Sequence, residues 1–451
     1  MALRVLKFGG TSVGSAEAIR RTVALVAHAR AAGPVAVVVS AMSGVTDRLL
    51  ALAEGARART LDPEATLDAL VKHHQAAVAS LGLESEVLAP FDGLREVLRG
   101  VWLLRELTAR SRDFIVSHGE MVSARMVAAT LRQSGIGSVA LDGWDAGIVT
   151  DENFGSAAVL PATWDRVAGR VPDPATTLPV ITGFLGGTAS GERTTLGRGG
   201  SDYSAAIVGR ALRATEIQIW TDVSGIYTTD PRLVPRAVAI PELTFEEAAE
   251  LAFFGAKVIH PKTIEPAVQA GIPVRVLNTF APDHPGTLIV GTADRRAAGR
   301  VTALTVKKNQ TILTLDSTRM LAAEGWLSRV FETLARCRIS VDTIATSEVS
   351  VCLTVEPRYS DALDRAAKEL EAVAHVRLLP GRSIVCVVGL GMRERPGTAA
   401  RIFASVDRAG VNVEMISMGA SAINIAFVVR DDDAQRALDA LHRDLIEGVD
   451  A

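Results

Sequence analysis

Apolar residues recur along this chain in two rhythms, one continuous and one helical. Leu3 to Phe8 is a short apolar run, and Gly9-Gly10-Thr11-Ser12-Val13-Gly14 reads as a turn. From about Ala16 to Arg30, Ile19, Val23, Val26 and Ala27 share one face and predict a helix. Gly33-Pro34 stops it, and Val35-Ala36-Val37-Val38-Val39 is apolar at every position up to Ser40. A strand apolar throughout is covered on both faces, as parallel strands are. The opening is therefore a βαβ unit, which predicts a three-layer α/β domain with a mainly parallel sheet.

The pattern stays helical from about Thr46 to Arg132, and strands return at Ser138 to Leu141 and Leu178 to Thr182. Glycines from Gly183 to Gly200 surround a predicted hairpin. A helix follows from about Asp202 to Leu212, a strand at Glu216 to Trp220, a helix near Phe245 to Phe254 and a strand at Val274 to Val276. Residues 1–295 are assigned to this α/β domain.

The remainder repeats itself. Strand-like Thr311 to Leu315, helical Gly325 to Arg336, and strand-like Ile339 to Ala345 and Val349 to Val355 form one copy. Ile384 to Val388, Thr398 to Ala409, Val411 to Ser417 and Ile423 to Val429 form another. Gly325 matches Gly397, Arg329 matches Arg401, Phe331 matches Phe403, and Val341-Asp342 matches Val413-Glu414. Each copy reads as βαββαβ, a ferredoxin-like α+β module. The first closes with a strand at Val376 to Leu379. The second runs out of residues after its last helix (Asp433 to Leu445), whereas Val301 to Val306 is a strand without a module. The expectation is nesting: residues 311–380 form a first module inserted into a second made of 301–310 and 381–451.

Composition narrows the function classes. At 451 residues, two or three domains are expected. A net charge of -3 gives no reason to propose nucleic acid or a membrane surface as partner. Met1 to Phe8 has no charged segment leading into a long apolar stretch, so no leader is expected. No apolar run approaches the roughly 20 residues of a membrane span. Cys337, Cys352 and Cys386 lie in apolar or strand-like settings and read as free thiols, so a cytoplasmic location is expected.

Two glycine loops carry the candidate chemistry. Lys7-Phe8-Gly9-Gly10-Thr11-Ser12 sets a lysine at a strand end and glycines at a helix entrance, where bare N–H groups and the helix dipole favour an anion. Gly197-Arg198-Gly199-Gly200-Ser201-Asp202 opens another helix. There Arg198 can hold a carboxylate bidentately, Ser201 can serve a phosphate, and Asp202 can place a metal or orient Lys7. Taken singly, each loop also fits a tight turn with a solvated side chain or a helix cap. No P-loop and no dinucleotide fingerprint is present. The histidine pair His73-His74 reads as a solvated helix surface, not a metal site, because adjacent helical residues point to different sides.

Further motifs are Ser40-Ala41-Met42-Ser43-Gly44-Val45-Thr46, Ser117-His118-Gly119-Glu120, Thr221-Asp222-Val223, Gly225-Ile226-Tyr227-Thr228-Thr229-Asp230-Pro231-Arg232 and Phe254-Gly255-Ala256-Lys257-Val258-Ile259-His260-Pro261. With the two loops, and in this order, they resemble the aspartate kinases of the amino acid kinase family. The tail resembles the paired ACT modules of the monofunctional, lysine-sensitive type. The resemblance implies transfer of the ATP γ-phosphoryl to the β-carboxylate of L-aspartate, the first step of lysine, threonine and methionine synthesis, with Mg²⁺ accompanying ATP. It implies that Lys7 and Lys257 contact the phosphates and that Gly9, Gly10 and Ser12 line their cradle. Thr221, Asp222, Tyr227 and Arg232 would lie around the nucleotide. Ser40, Thr46 and Ser201 would lie near aspartate, with Glu120 on its ammonium, Arg198 on its α-carboxylate and Asp202 organising the centre. An ionised carboxylate needs no general base, so positioning and charge neutralisation are the expected catalytic devices. Ser224 departs from the Asp or Pro frequent in the family.

For the tail, the resemblance implies an effector site at Met320, Gly325, Leu327, Asp342, Ser347 and Glu348. It also implies a homodimer through the ACT modules, with a tetramer as the larger alternative. Two carboxylates, Asp342 and Glu348, suit the two ammonium groups of lysine better than threonine. The rival readings are a kinase for glutamate or N-acetylglutamate, and an inactive amino-acid sensor.

Overall fold

The computed structural model describes residues 2–255, 259, 261–291, 300–320, 324–392, 394–419 and 423–449. Two compact units result: residues 1–226, 241–245 and 258–293 in the first, and 227–240, 246–257 and 294–451 in the second.

The first unit's strands are β1 (Arg4–Phe8), β2 (Val35–Val39), β3 (Ser138–Leu141), β4 (Leu178–Thr182), β5 (Leu185–Gly187), β6 (Arg193–Thr195), β7 (Glu216–Thr221), β8 (Glu242–Thr244), β9 (Val274–Asn278) and β10 (Thr287–Val290). Helices α1 (Ala16–Ala32), α2 (Val45–Ala58), α3 (Pro63–Leu81), α4 (Leu94–Leu104), α5 (Ala109–Gln133), α6 (Thr163–Arg170) and α7 (Gly200–Ala211) accompany them; α8 (Phe245–Phe253) falls in the second unit but for its first residue, and α9 (Pro261–Gln269) returns to the first. The main sheet runs β3-β4-β2-β1-β7-β9-β10-β8. All its neighbours are parallel except β9 and β10. As expected from its unbroken apolarity, every residue of β2 is buried, and so is every residue of β4. β5 and β6 form the expected glycine-flanked hairpin. Short β8 and β10, with α6 and α9, lack the pattern length that makes an element legible.

One correction concerns His74. The pair does not lie on a solvated face: His74 is fully buried, its Nδ1 is 2.9 Å from the Leu70 carbonyl oxygen, and its ring meets Phe91 edge-on. Burial depresses its pKa to about 4, so it is a neutral core residue.

In the second unit, β11 (Ala303–Asp316), α10 (Trp326–Arg336), β12 (Ile344–Thr346), β13 (Ser350–Val355), α11 (Ser360–Leu370), β14 (His375–Val388), α12 (Thr398–Arg408), β15 (Met415–Met418), β16 (Asn424–Arg430) and α13 (Asp431–Leu445) follow in order. The separate strands expected at 301–306 and 311–315 are one strand, β11, bent at a bulge between Lys307 and Gln310 where Asn309 takes a left-handed φ of 58°. Likewise 376–379 and 384–388 are joined in β14 through Gly381 (φ 70°). The half of β11 before the bulge pairs only with the later half of β14, which pairs with β16; the half after it pairs with β13 and the earlier half of β14. One six-stranded sheet, β12-β13-β11-β14-β16-β15, results, with an apolar core over each half.

The strand expected from Ile339 is shorter, beginning at Ile344, and the one expected from Val411 begins at Met415. Before each strand the repeat keeps a matching bond: the Asp342 amide donates to the Thr354 carbonyl at 3.0 Å and the Glu414 amide to that of Val428 at 2.8 Å. The matching carboxylates also have matching partners. Lys307 on β11 holds Asp342 at 2.6 Å, and Arg382 on β14 holds Glu414 at 2.9 Å.

Candidate active site

In an open parallel sheet, ligands bind beyond the carboxyl ends of the strands where successive connections leave in opposite directions. Here that point is β1: the chain passes first to β2 on one side, and β7 lies on the other. Register sets Phe8 opposite both Val39 and Trp220, so Gly9 and Ser40 leave the sheet beside Thr221, the last residue of β7. Val39 pairs with Thr182, which brings Gly183 to the same edge. A cavity of about 860 Å³ opens there.

Three helical segments present uncapped N-termini to it. The short 3-10 turn Gly10–Val13 follows Gly9, α2 follows Gly44, and α7 follows Gly199. None of these glycines has a side chain to cap the first turn; the amides of Ser12, Val45, Gly200 and Asp202 donate to the carbonyls of Gly9, Met42, Gly197 and Gly199, and the other first-turn donors stay available for an anion. Gly44 and Gly199 also adopt φ values of 73° and 72°, which a residue with a Cβ takes only under strain. The three glycines, with Gly10 and Gly200, all line the cavity.

Charged groups of both signs meet in the same space. Lys7, 8% exposed, places Nζ 2.6 Å from Asp202 Oδ1 on the first turn of α7. Arg198 stands exposed in the loop before α7. Opposite in character is Glu120, in the middle of α5: it is 3% exposed and its Oε2 has no hydrogen-bond partner. Desolvation is the dominant influence on this carboxyl and, against a bond from the Ala41 amide, raises its pKa to about 8. α5 comes close enough for that bond because residue 119 is glycine; a Cβ there would sit 2.8 Å from that of Ala41.

Lys7, Gly9, Gly10, Ser40, Thr46, Glu120, Arg198, Ser201, Asp202, Thr221 and Asp222 all line this one cavity. Ser12 does not, and its expected place in the cradle needs correction. It is fully buried, and its hydroxyl bonds Thr279 Oγ1 at 2.7 Å, fixing the turn from behind. Tyr227 and Arg232 belong to the second unit, where Tyr227 bridges to Ala239 and Arg232 is paired with Asp230 at 2.7 Å. Lys257 lies outside the described residues. Ser224 is anchored by Asn278 at 2.9 Å. Among the described residues no cluster of three or more His, Cys, Asp or Glu could hold a metal.

Residues 2–278 match the amino acid kinase family and residues 385–445 match the ACT domain. The chain is 38% identical to lysine-sensitive aspartokinase 3 of Escherichia coli over 98% of its own length and 99% of that protein's. It is 40% identical to the chloroplastic aspartokinase 1 of Arabidopsis thaliana over 99% of this chain and 80% of that one. The chain belongs to the aspartokinase family. Among solved structures, E. coli aspartokinase III in complex with aspartate and ADP aligns with a TM-score of 0.81 at 36% identity, over 98% of this chain and 99% of that one. The complex of that protein with lysine and aspartate aligns at 0.80. As an aspartokinase the chain is a kinase, with a mainly parallel α/β catalytic fold and an ACT tail.

Sequence reasoning passed over several residues of the aspartokinase cavity, among them Asp47, Arg112, Asp113 and Phe184. Phe184 holds a left-handed φ of 67°, costly for an aromatic residue, and a Cβ on Gly200 would lie 2.6 Å from its ring. Helices α2 and α5 and the chain leading into the hairpin bring these side chains together only in the fold.

In the tail, Asp342 is not a free acceptor. Its side chain is 8% exposed and bound by Lys307, which also meets Glu356 at 2.6 Å. Glu348 and Ser347 lie exposed in the turn between β12 and β13, away from Asp342 at the strand's other end, so one chain does not pair the two carboxylates. Leu327 is 39% exposed on the first turn of α10, Gly325 caps that helix, and Met320 is half-buried.

Proposed function

We propose that the cavity holds ATP and L-aspartate side by side and moves the γ-phosphoryl onto the β-carboxylate, giving 4-phospho-L-aspartate. The observation carrying this reading is Glu120, a buried carboxyl with an unpartnered oxygen, facing the cavity that Lys7, Arg198 and three bare helix N-termini also face. A free amino acid needs both signs: Glu120 for its ammonium and Arg198 for its α-carboxylate, with Ser40, Thr46 and Ser201 alongside. The N-termini at Gly10 and Gly200, with Lys7, take the phosphates, Asp202 aims Lys7, and Thr221 and Asp222 flank the nucleotide. Tyr227, Arg232 and Lys257 complete its contacts by resemblance. Mg²⁺ fits as an ion carried mainly by the phosphates, with Asp202 and Asp222 the available carboxylates; when bound it neutralises phosphate charge.

Acyl phosphate trapping with hydroxylamine tests the reading. Hydroxamate is expected from aspartate, and at least about 100-fold less from glutamate or N-acetylglutamate, the latter having no ammonium for Glu120. No product from any of the three would favour the sensor.

The tail, in this reading, comprises a first ACT module (311–380) inserted into a second (301–310 and 381–451), after a catalytic domain of 1–295, in a cytoplasmic homodimer or tetramer joined through the modules. The alignment with the lysine-bound E. coli structure supports lysine as inhibitor. Its site draws on Met320, Gly325, Leu327, Ser347 and Glu348, with Asp342 reached through its pair with Lys307. Activity titrated with lysine should fall, and Glu348→Ala should weaken inhibition about tenfold. An uninhibited wild type defeats this part alone.

A further inference from the structure

α5 carries Asp113 and Glu120 two turns apart, hence on one face and about 10 Å apart along the axis. Asp113 is 2% exposed, and both its oxygens are committed. Oδ2 accepts the Thr195 amide at 2.8 Å and the Gly155 amide at 2.9 Å, while Oδ1 accepts the Thr195 hydroxyl at 2.9 Å. Thr195 ends β6, three residues before Arg198. Its carbonyl in turn accepts the Ala157 amide at 2.9 Å. A Cβ on Gly197 would lie 3.0 Å from Ser156 Oγ, so the 155–157 segment also walls the Arg198 loop. One carboxylate thus gathers both chain segments that shape this loop and binds them to the helix bearing Glu120.

We propose that Asp113 is a positioning residue for the amino acid substrate: it fixes the span between Glu120 and Arg198, so that both charged ends of one small zwitterion are held together. The inference rests on the substrate roles given above to these two residues. Its contribution is geometric. Asparagine in the same place keeps an oxygen for the two amides, and its nitrogen can donate to the Thr195 hydroxyl, which turns to accept. Leucine offers no acceptor and leaves three donors without partners.

Steady-state kinetics on the full chain, with each substrate varied in turn, tests this. Asp113→Asn should keep KM for aspartate within about threefold. Asp113→Leu should raise it about 30-fold or more while KM for ATP stays within about twofold. If Asp113→Leu does not fold, Thr195→Val, which removes one of the three bonds, decides the matter with a rise of about three- to tenfold in KM for aspartate only. Arg198→Ala alone and with Asp113→Leu (or Thr195→Val) separates this inference from the reading beneath it. If Asp113 acts through Arg198, the double variant is no worse than Arg198→Ala. Additive losses, equal rises in both KM values, or an asparagine variant as impaired as leucine would overturn the inference. An Arg198→Ala variant with unchanged KM for aspartate would instead overturn the substrate reading.

Discussion

Replacing Lys7 by methionine should lower kcat by about two to three orders of magnitude and leave KM for aspartate nearly unchanged. The nucleophile is already an anion, so the barrier lies in bringing it against a negatively charged phosphoryl group. A preorganised cation at that point is worth about 10²–10³ in rate. The substitution has a second effect, because Asp202 would lose the ammonium 2.6 Å away. Breaking one side of a largely buried ion pair strands the other charge, at a cost of about 3–5 kcal/mol. Lower activity in Lys7→Met then combines lost stability with lost catalysis, and Lys7→Met/Asp202→Asn separates the two. Tm should recover in the double variant while kcat stays low. If kcat recovers with Tm, Lys7 has no direct part in the transfer.

Much of this arrangement was legible before the fold. The glycines and Lys7 belong to a short βα unit whose strand, turn and helix are all local in sequence, and β2 announced itself by unbroken apolarity. The repeated order of strands and helices in the tail was also legible. What escaped depends on contacts distant in sequence. Ser12 looks like a phosphate ligand beside Gly10, yet its hydroxyl turns to Thr279, 267 positions away. His74 looks polar beside His73, yet it lies on the buried face of α3 against Phe91. Asp342 looks like a free acceptor until β11 brings Lys307 across to it. In each case the residue type suggested a ligand or a solvated surface, and the tertiary partner supplied another use.

Glutamine in place of Glu120 should raise KM for aspartate by about 10²–10³, remove its pH dependence, and make the empty protein more stable at pH 8. These effects share one cause. With no ligand, the carboxyl titrates near 8 because burial outweighs its bond to the Ala41 amide. An arriving ammonium favours the carboxylate, so binding at pH 7 should expel about one proton. Calorimetry in two buffers of different ionisation enthalpy measures that proton directly. Affinity for aspartate should rise about tenfold per pH unit from 6 towards 8 and level off above it; both signatures should vanish in Glu120→Gln. For stability the sign runs the other way. Between about 4.5 and 8 the folded empty protein binds the proton and the unfolded chain does not, so stability from this group falls as pH rises through that window. Glutamine stays neutral throughout and escapes the loss. A variant that binds aspartate worse yet melts higher at pH 8 fits a carboxyl kept buried for recognition at a cost to folding. Unchanged proton release on binding, or a lower melting temperature at pH 8, would mean that Glu120 holds the fold and leaves the ammonium to another group.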